Sequence, residues 1–239
     1  MTNIESLKTA PPKPWGIIAT ALWALLPSLI LVVVAGVALA LWTGGKLDRS
    51  QELRSNGPLL SLVTLVWTVV QVPVLVWAAR RRGWQADDYM GWIVPNPRDA
   101  AVTLAVIVAF ILTSDALTYL LDRDLVTPFQ INIYRSAREA GGLVPLWIAC
   151  VVAAPLSEEI MFRGFLYRGW ARAPRAVVPA VVIISALWAI LHVQYDWFVI
   201  LQLFLLGLVL GWARWRSGST MLTFAMHAST TPGPWRRRR

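Results

Sequence analysis

Seven long apolar runs, separated by short charged segments, limit what this chain can fold into more than any other feature. They cover about 16–42, 59–79, 99–121, 143–172, 176–192, 197–213 and 219–231. A helix needs about 20 apolar residues to cross a hydrocarbon core about 30 Å thick. The fifth and seventh runs are marginal by that measure. Inside lipid every backbone N–H and C=O must be paired within the protein, which leaves only helices and closed barrels. Runs this long read as helices. The expected fold is all-α: a polytopic transmembrane helical bundle of about seven hydrophobic segments enclosing a polar cavity. The composition fits, with 57% hydrophobic and 15% charged residues, against about 45–50% and about 25% in soluble domains. Residues 1–14, with Pro11, Pro12 and Pro14, read as a flexible cytoplasmic tail, 15–235 as the bundle and 236–239 as a basic tail.

The net charge is +9, but the arginines sit beside apolar runs rather than on a nucleic-acid reading element. Their place there is the cytoplasmic edge of the membrane. Nucleic acid is therefore excluded as a partner, and membrane lipids are expected. With the N-terminus inside, Lys8, Lys13, Arg80–Arg82, Arg98, Arg163, Arg168, Arg172, Arg175, Arg214 and Arg216 all fall inside, and the 43–58 and 122–141 loops, with mixed charge, and the short loop around Tyr195 and Asp196 fall outside. Arg236–Arg239 break the pattern if the seventh run crosses completely. Pro232 and Pro234 cannot continue a regular helix, so that run is expected to end partway. The first run is too long for a signal peptide and lacks a small-residue cleavage site, so it is expected to remain as the first span. The single cysteine, Cys150, allows no intramolecular disulfide. A multi-pass protein of a bacterial cell membrane is the expected setting.

Ionisable groups within spans are costly and are functional candidates. Here they are Asp115, Glu158, Glu159, Arg163, His192 and His227, and both histidines of the chain are among them. Glu159 and Arg163 are spaced i,i+4 and share one helix face, which predicts a self-neutralising buried pair. Glu158 lies about 100° around the helix and is free to face a cavity. Trp188 lies one turn before His192, and Thr223 and Thr231 flank His227 at i−4 and i+4. Two mechanisms stay open at this point. Glu158, His192 and His227 could bind zinc with an open position for water. In the metal-free route, Glu158 and His192 activate water, while His227 and a neighbour stabilise the oxyanion.

Three motifs carry a resemblance. Glu158-Glu159-Ile160-Met161-Phe162-Arg163 matches Glu-Glu-x-x-x-Arg. Trp188 to His192 matches Phe-x-x-x-His with Trp for Phe, and His227 to Thr231 matches His-x-x-x-Asn with Thr for Asn. Over 143–231 the chain resembles the CPBP intramembrane proteases, which include CAAX prenyl protease 2 and the Abi bacteriocin-processing proteins. That resemblance implies a catalytic core at 143–231 and catalytic roles for Glu158, Glu159, Arg163, His192, His227 and Thr231. It implies an endopeptidase acting on a peptide or lipidated protein, through zinc or through a glutamate-activated water. It also implies a cavity opening to the cytoplasm and the lipid, and the loop charges agree by putting the Glu158 end of the fourth run toward the cytoplasm. The alternative is a non-catalytic membrane immunity or scaffold protein that keeps the site.

Overall fold

The computed structural model describes residues 12–43 and 55–230. Most of the expected N-terminal tail, all of the C-terminal basic tail, and Thr231 lie outside the described residues. Those described form an all-α bundle of nine helices: α1 Ile17–Thr43, α2 Gly57–Arg80, α3 Ala86–Met90, α4 Pro97–Leu120, α5 Pro128–Glu139, α6 Leu143–Trp170, α7 Pro174–Ile190, α8 Trp197–Ser217 and α9 Thr220–Thr230. Five of them (α1, α2, α4, α6 and α8) are long and apolar enough to cross a membrane. Helix α7 is apolar but has 17 residues. The 11 residues of α9 rise about 16 Å at 1.5 Å each, about half of the core. The chain is an integral membrane protein, and apolar side chains such as Leu29, Val69 and Leu112 line its outer surface.

Local chemistry sets the helix ends. Asn56 and Asn96 cap α2 and α4 by accepting from Leu59 N and Arg98 N, each at 2.9 Å, with a proline in the first turn of both helices. Asp196 caps α8 by accepting from Phe198 N and Val199 N, both at 3.0 Å. Such caps pair the N–H groups that a helix start leaves without partners.

One expectation needs correction. The 122–141 segment is not simply a loop, because α5 occupies most of it. Thr127 and Gln130 form a reciprocal capping box ahead of that helix, and its apolar side buries Ile133 and Ala137 against Leu146 of α6. Helix α6 runs through Pro155. The wide π-type turns of Ile148–Ala153 absorb the N–H that Pro155 cannot supply. A second such stretch, Ile160–Leu166, follows the two glutamates.

Helix α6 is the inner helix. It and α8 bury 39% of their apolar windows, against 11–17% for α1, α2 and α4. Helices α7 and α8 approach through Gly207 and Gly211. A Cβ on Gly207 would stand 2.8 Å from Ser185 Cβ, and one on Gly211 would stand 2.5 Å from Val181 Cγ1. Both are closer than packed atoms allow, so only glycine permits this approach.

The two ends of the bundle differ. At one end the N-terminal segment, the α2–α4 connection, the α6–α7 corner and the α8–α9 corner are tied together. Trp15 Nε1 donates to Ala78 O at 2.8 Å, Arg168 Nε to Tyr89 O at 3.1 Å, and Thr220 Oγ1 to Met90 O at 2.6 Å. Arg216 pairs with Asp99 at 3.0 Å. At the other end, α5, the α4–α5 connection and the α7–α8 connection surround an opening.

Candidate active site

The two adjacent glutamates occupy opposite environments, as their angular separation on α6 predicts. Glu159 is fully buried. Its Oε1 accepts from Arg163 Nη1 at 3.0 Å, and the guanidinium is only 1% exposed. Arg163 also donates from Nη2 to Gly207 O at 3.3 Å and lies 4.8 Å from the Trp188 ring centroid. The pair thus joins α6, α7 and α8. Isolated in this interior, either charge would cost several kcal/mol.

Glu158 is 24% exposed and faces a cavity of about 990 Å³. Its Oε2 accepts from Trp188 Nε1 at 2.6 Å and lies 3.9 Å from His227 Nε2. His227 is the link between the glutamates: its Nδ1 is 3.0 Å from Glu159 Oε1. A carboxylate can only accept, so Nδ1 carries the hydrogen and Nε2 is the nitrogen turned to Glu158. A buried carboxylate, an imidazole and a cavity stand in series, the same logic that orients a catalytic histidine in hydrolase triads.

His192 is placed otherwise. Its Nδ1 lies 2.8 Å from Trp188 O, one turn back on its own chain, and its ring stacks on Tyr195 at 6.3 Å. It lines the cavity but makes no bond to either glutamate among the described residues. Asp115 also lines the cavity. Thr231 cannot be placed; the preceding Thr230 lines the cavity and donates to His227 O at 2.7 Å. Among the described residues no three His, Cys, Asp or Glu side chains gather as a metal site. His192 turns Nδ1 to the Trp188 carbonyl, which leaves Nε2 as its nitrogen available to the cavity.

The cavity reaches from Glu158, Trp188 and His227 to Asp124, Gln194 and Asp196 at its mouth. An ion pair between Arg123 and Asp196 crosses that mouth, and the guanidinium also lies 4.6 Å from the Phe198 ring centroid. The backbone N–H of Val199, followed by the charge of Arg123, holds the Asp196 carboxyl below its ordinary range. Burial pushes the Tyr195 phenol up to about 12, which keeps it a neutral O–H. No lining residue comes from the arginine-rich end. The cavity opens at the end that carries the 121–142 and 191–196 segments, away from the arginine-rich end. Glu158 itself lies near the middle of α6, rather than toward either face.

Residues 140–231 match the family described as type II CAAX prenyl endopeptidase Rce1-like. Over that segment the chain is similar to the family. The matched segment holds both glutamates, Arg163, Trp188 and both histidines, so the site and the match coincide. The match supports, at the family level, a CAAX-protease-like membrane endopeptidase. No curated protein and no solved structure matches the chain.

Trp188 is the residue whose part the sequence understated. It was legible as a substitution within the Phe-x-x-x-His pattern and as a neighbour of His192. In three dimensions it is the hub. It donates to Glu158, lies against Arg163, and packs edge-on against His192 at 5.1 Å and His227 at 5.2 Å. Position 188 on α7 was a visible cue. The partner on α6 was not, because it depends on how the helices pack.

Proposed function

We propose that the chain is an intramembrane endopeptidase that cleaves a peptide or lipidated protein with a water activated by Glu158. The observation that carries this reading is Glu158 facing a large cavity while Trp188 donates to its Oε2 and His227 Nε2 stands 3.9 Å away. Glu158 takes a proton from the water as the water oxygen attacks the scissile carbonyl. The C–N bond then breaks, and that proton passes from Glu158 to the leaving amine. Glu159 and Arg163 stay paired and fix the Nδ1 side of His227. In its protonated form His227 donates from Nε2 to the oxyanion, the kind of fixed donor that favours acyl transfer. His192 presents its Nε2 to the cavity and orients water or substrate. Trp188 fixes the carboxylate rotamer.

A zinc-dependent protease is the competing mechanism, and it would require Glu158 and the Nε2 atoms of His192 and His227 to converge on one ion. One experiment separates the two. Purified protein in detergent is incubated with fluorescent apolar peptides and with a farnesylated peptide, with and without chelator, and its metal content is measured. The glutamate reading expects cleavage that survives chelation and disappears in Glu158→Gln. Undiminished turnover in a folded Glu158→Gln protein overturns it. Loss of cleavage on chelation, with restoration by zinc, moves the assignment to the metal route.

A further inference from the structure

We propose that the cavity opens on the non-cytoplasmic side of the membrane, so the site acts on polypeptide segments presented from that side. This inference rests on the hydrolytic reading above and specifies its substrate: an exported protein, or the external part of a membrane protein. It starts from the cavity's position. The lining residues come from the α4–α5 connection, α5, the N-terminal half of α6, the α7–α8 connection and the facing parts of α4, α8 and α9. These elements end at one face of the bundle. The opposite face is closed by hydrogen bonds from Trp15, Arg168, Ser219 and Thr220 to backbone carbonyls.

The charges of the two faces then assign them to sides. On the closed face, segments 12–16, 80–99, 168–175 and 214–216 carry ten Lys and Arg against three Asp. On the open face, segments 121–142 and 191–196 carry three Arg against four acidic residues. Short loops rich in Lys and Arg stay in the cytoplasm. The closed face is therefore cytoplasmic. A substrate in the cytoplasm meets packed helix ends, whereas one outside meets the Arg123–Asp196 mouth. Helix α9 fits this arrangement. It starts at the closed face, where Thr220 N donates to Gly91 O at 2.7 Å, and rises only far enough to bring His227 to the cavity floor.

The sole cysteine provides the probe, because Cys150 lines the cavity. The full chain is expressed in a bacterial inner membrane. Spheroplasts and everted vesicles are treated with a charged, impermeant methanethiosulfonate, and remaining thiols are counted with a permeant maleimide. Two reporters in a Cys150→Ser background fix the orientation: Gln194→Cys at the mouth and Arg175→Cys at the closed face, both positions being exposed. We expect Gln194→Cys and native Cys150 to lose at least about fivefold of their later labelling in spheroplasts, and Arg175→Cys only in everted vesicles. The reverse pattern overturns the proposal. So does Cys150 blocked from the cytoplasmic side, or from neither side, while the reporters behave as expected. Glu158→Gln should leave the labelling pattern unchanged. A failed cleavage assay in detergent therefore refutes the hydrolytic reading without touching sidedness, and a reversed pattern refutes sidedness alone.

Discussion

The arginine-rich end and the cavity end of this bundle are built from the same helices by opposite means. At the first, glycine turns, capped helix starts and side-chain bonds to backbone carbonyls leave little that can move. Gly91 has φ +65° and Gly218 φ +68°, and between them Thr220 ties the start of α9 to the end of α3. At the second, the helices part around about 990 Å³, and an exposed ion pair is the main bond across the opening. The contrast assigns tasks. A hydrolytic site needs fixed charges behind its reacting groups and room for a chain in front of them. Glu159 and Arg163 stand behind, and Glu158 stands in front.

That division can be broken most forcefully from behind. Arg163→Ala leaves the Glu159 carboxylate buried without its cation, which should cost about 3–5 kcal/mol of stability. Thermal unfolding in detergent, followed by circular dichroism, checks this. Replacing the pair together, Glu159→Gln with Arg163→Met, should recover much of the loss, because no uncompensated charge remains. Equal damage from the single and double variants would mean that Arg163 acts by filling space rather than by charge.

From the front the expected result is the opposite. Glu158→Gln should leave unfolding nearly unchanged and lower turnover by about 10²–10⁴-fold, the range for loss of a general base. A large stability loss in this variant would show that the two carboxylates are not divided as their burial indicates.

How much of this was legible beforehand follows from range. The Glu159–Arg163 pair spans one helical turn, so sequence spacing sufficed. The spans needed only length and apolarity. The Thr127–Gln130 capping box is equally local, and it could have revealed α5 within a segment read as a loop. The Glu158–Trp188 and Glu159–His227 bonds join separate helices, and no periodicity within one segment encodes them. The same holds for the direction of the cavity, which depends on which helix ends splay apart.

Trp188 tests whether the front and back of the site communicate. Trp188→Phe restores the residue of the Phe-x-x-x-His pattern and removes the donor to Glu158 Oε2. A hydrogen bond to a charged group is worth about 1.5–3 kcal/mol, so a rate loss of about tenfold or more is expected. The loss should not add to that of Glu158→Gln, since the N–H acts through that carboxylate. Fully additive losses in the double variant would make Trp188 a packing residue only.

The smallest effect is expected at the mouth. Asp196→Asn keeps a competent N-cap for α8 but removes the pair with Arg123. Exposed pairs contribute at most about 1 kcal/mol, so stability near neutral pH should fall by less than that. Acid titration separates cap from charge. The folded Asp196 carboxyl sits below its unfolded value, chiefly through the Val199 N–H and then through Arg123. Its stabilisation is therefore complete above the unfolded carboxylate range near 4 and disappears as pH falls through the lower folded value. Asparagine cannot lose a charge, so the variant should show a shallower decline across that window, with the two curves converging at its acid end. Parallel curves would mean that Asp196 acts only as a cap. The mouth would then have no electrostatic latch, and its width would be set by helix packing alone.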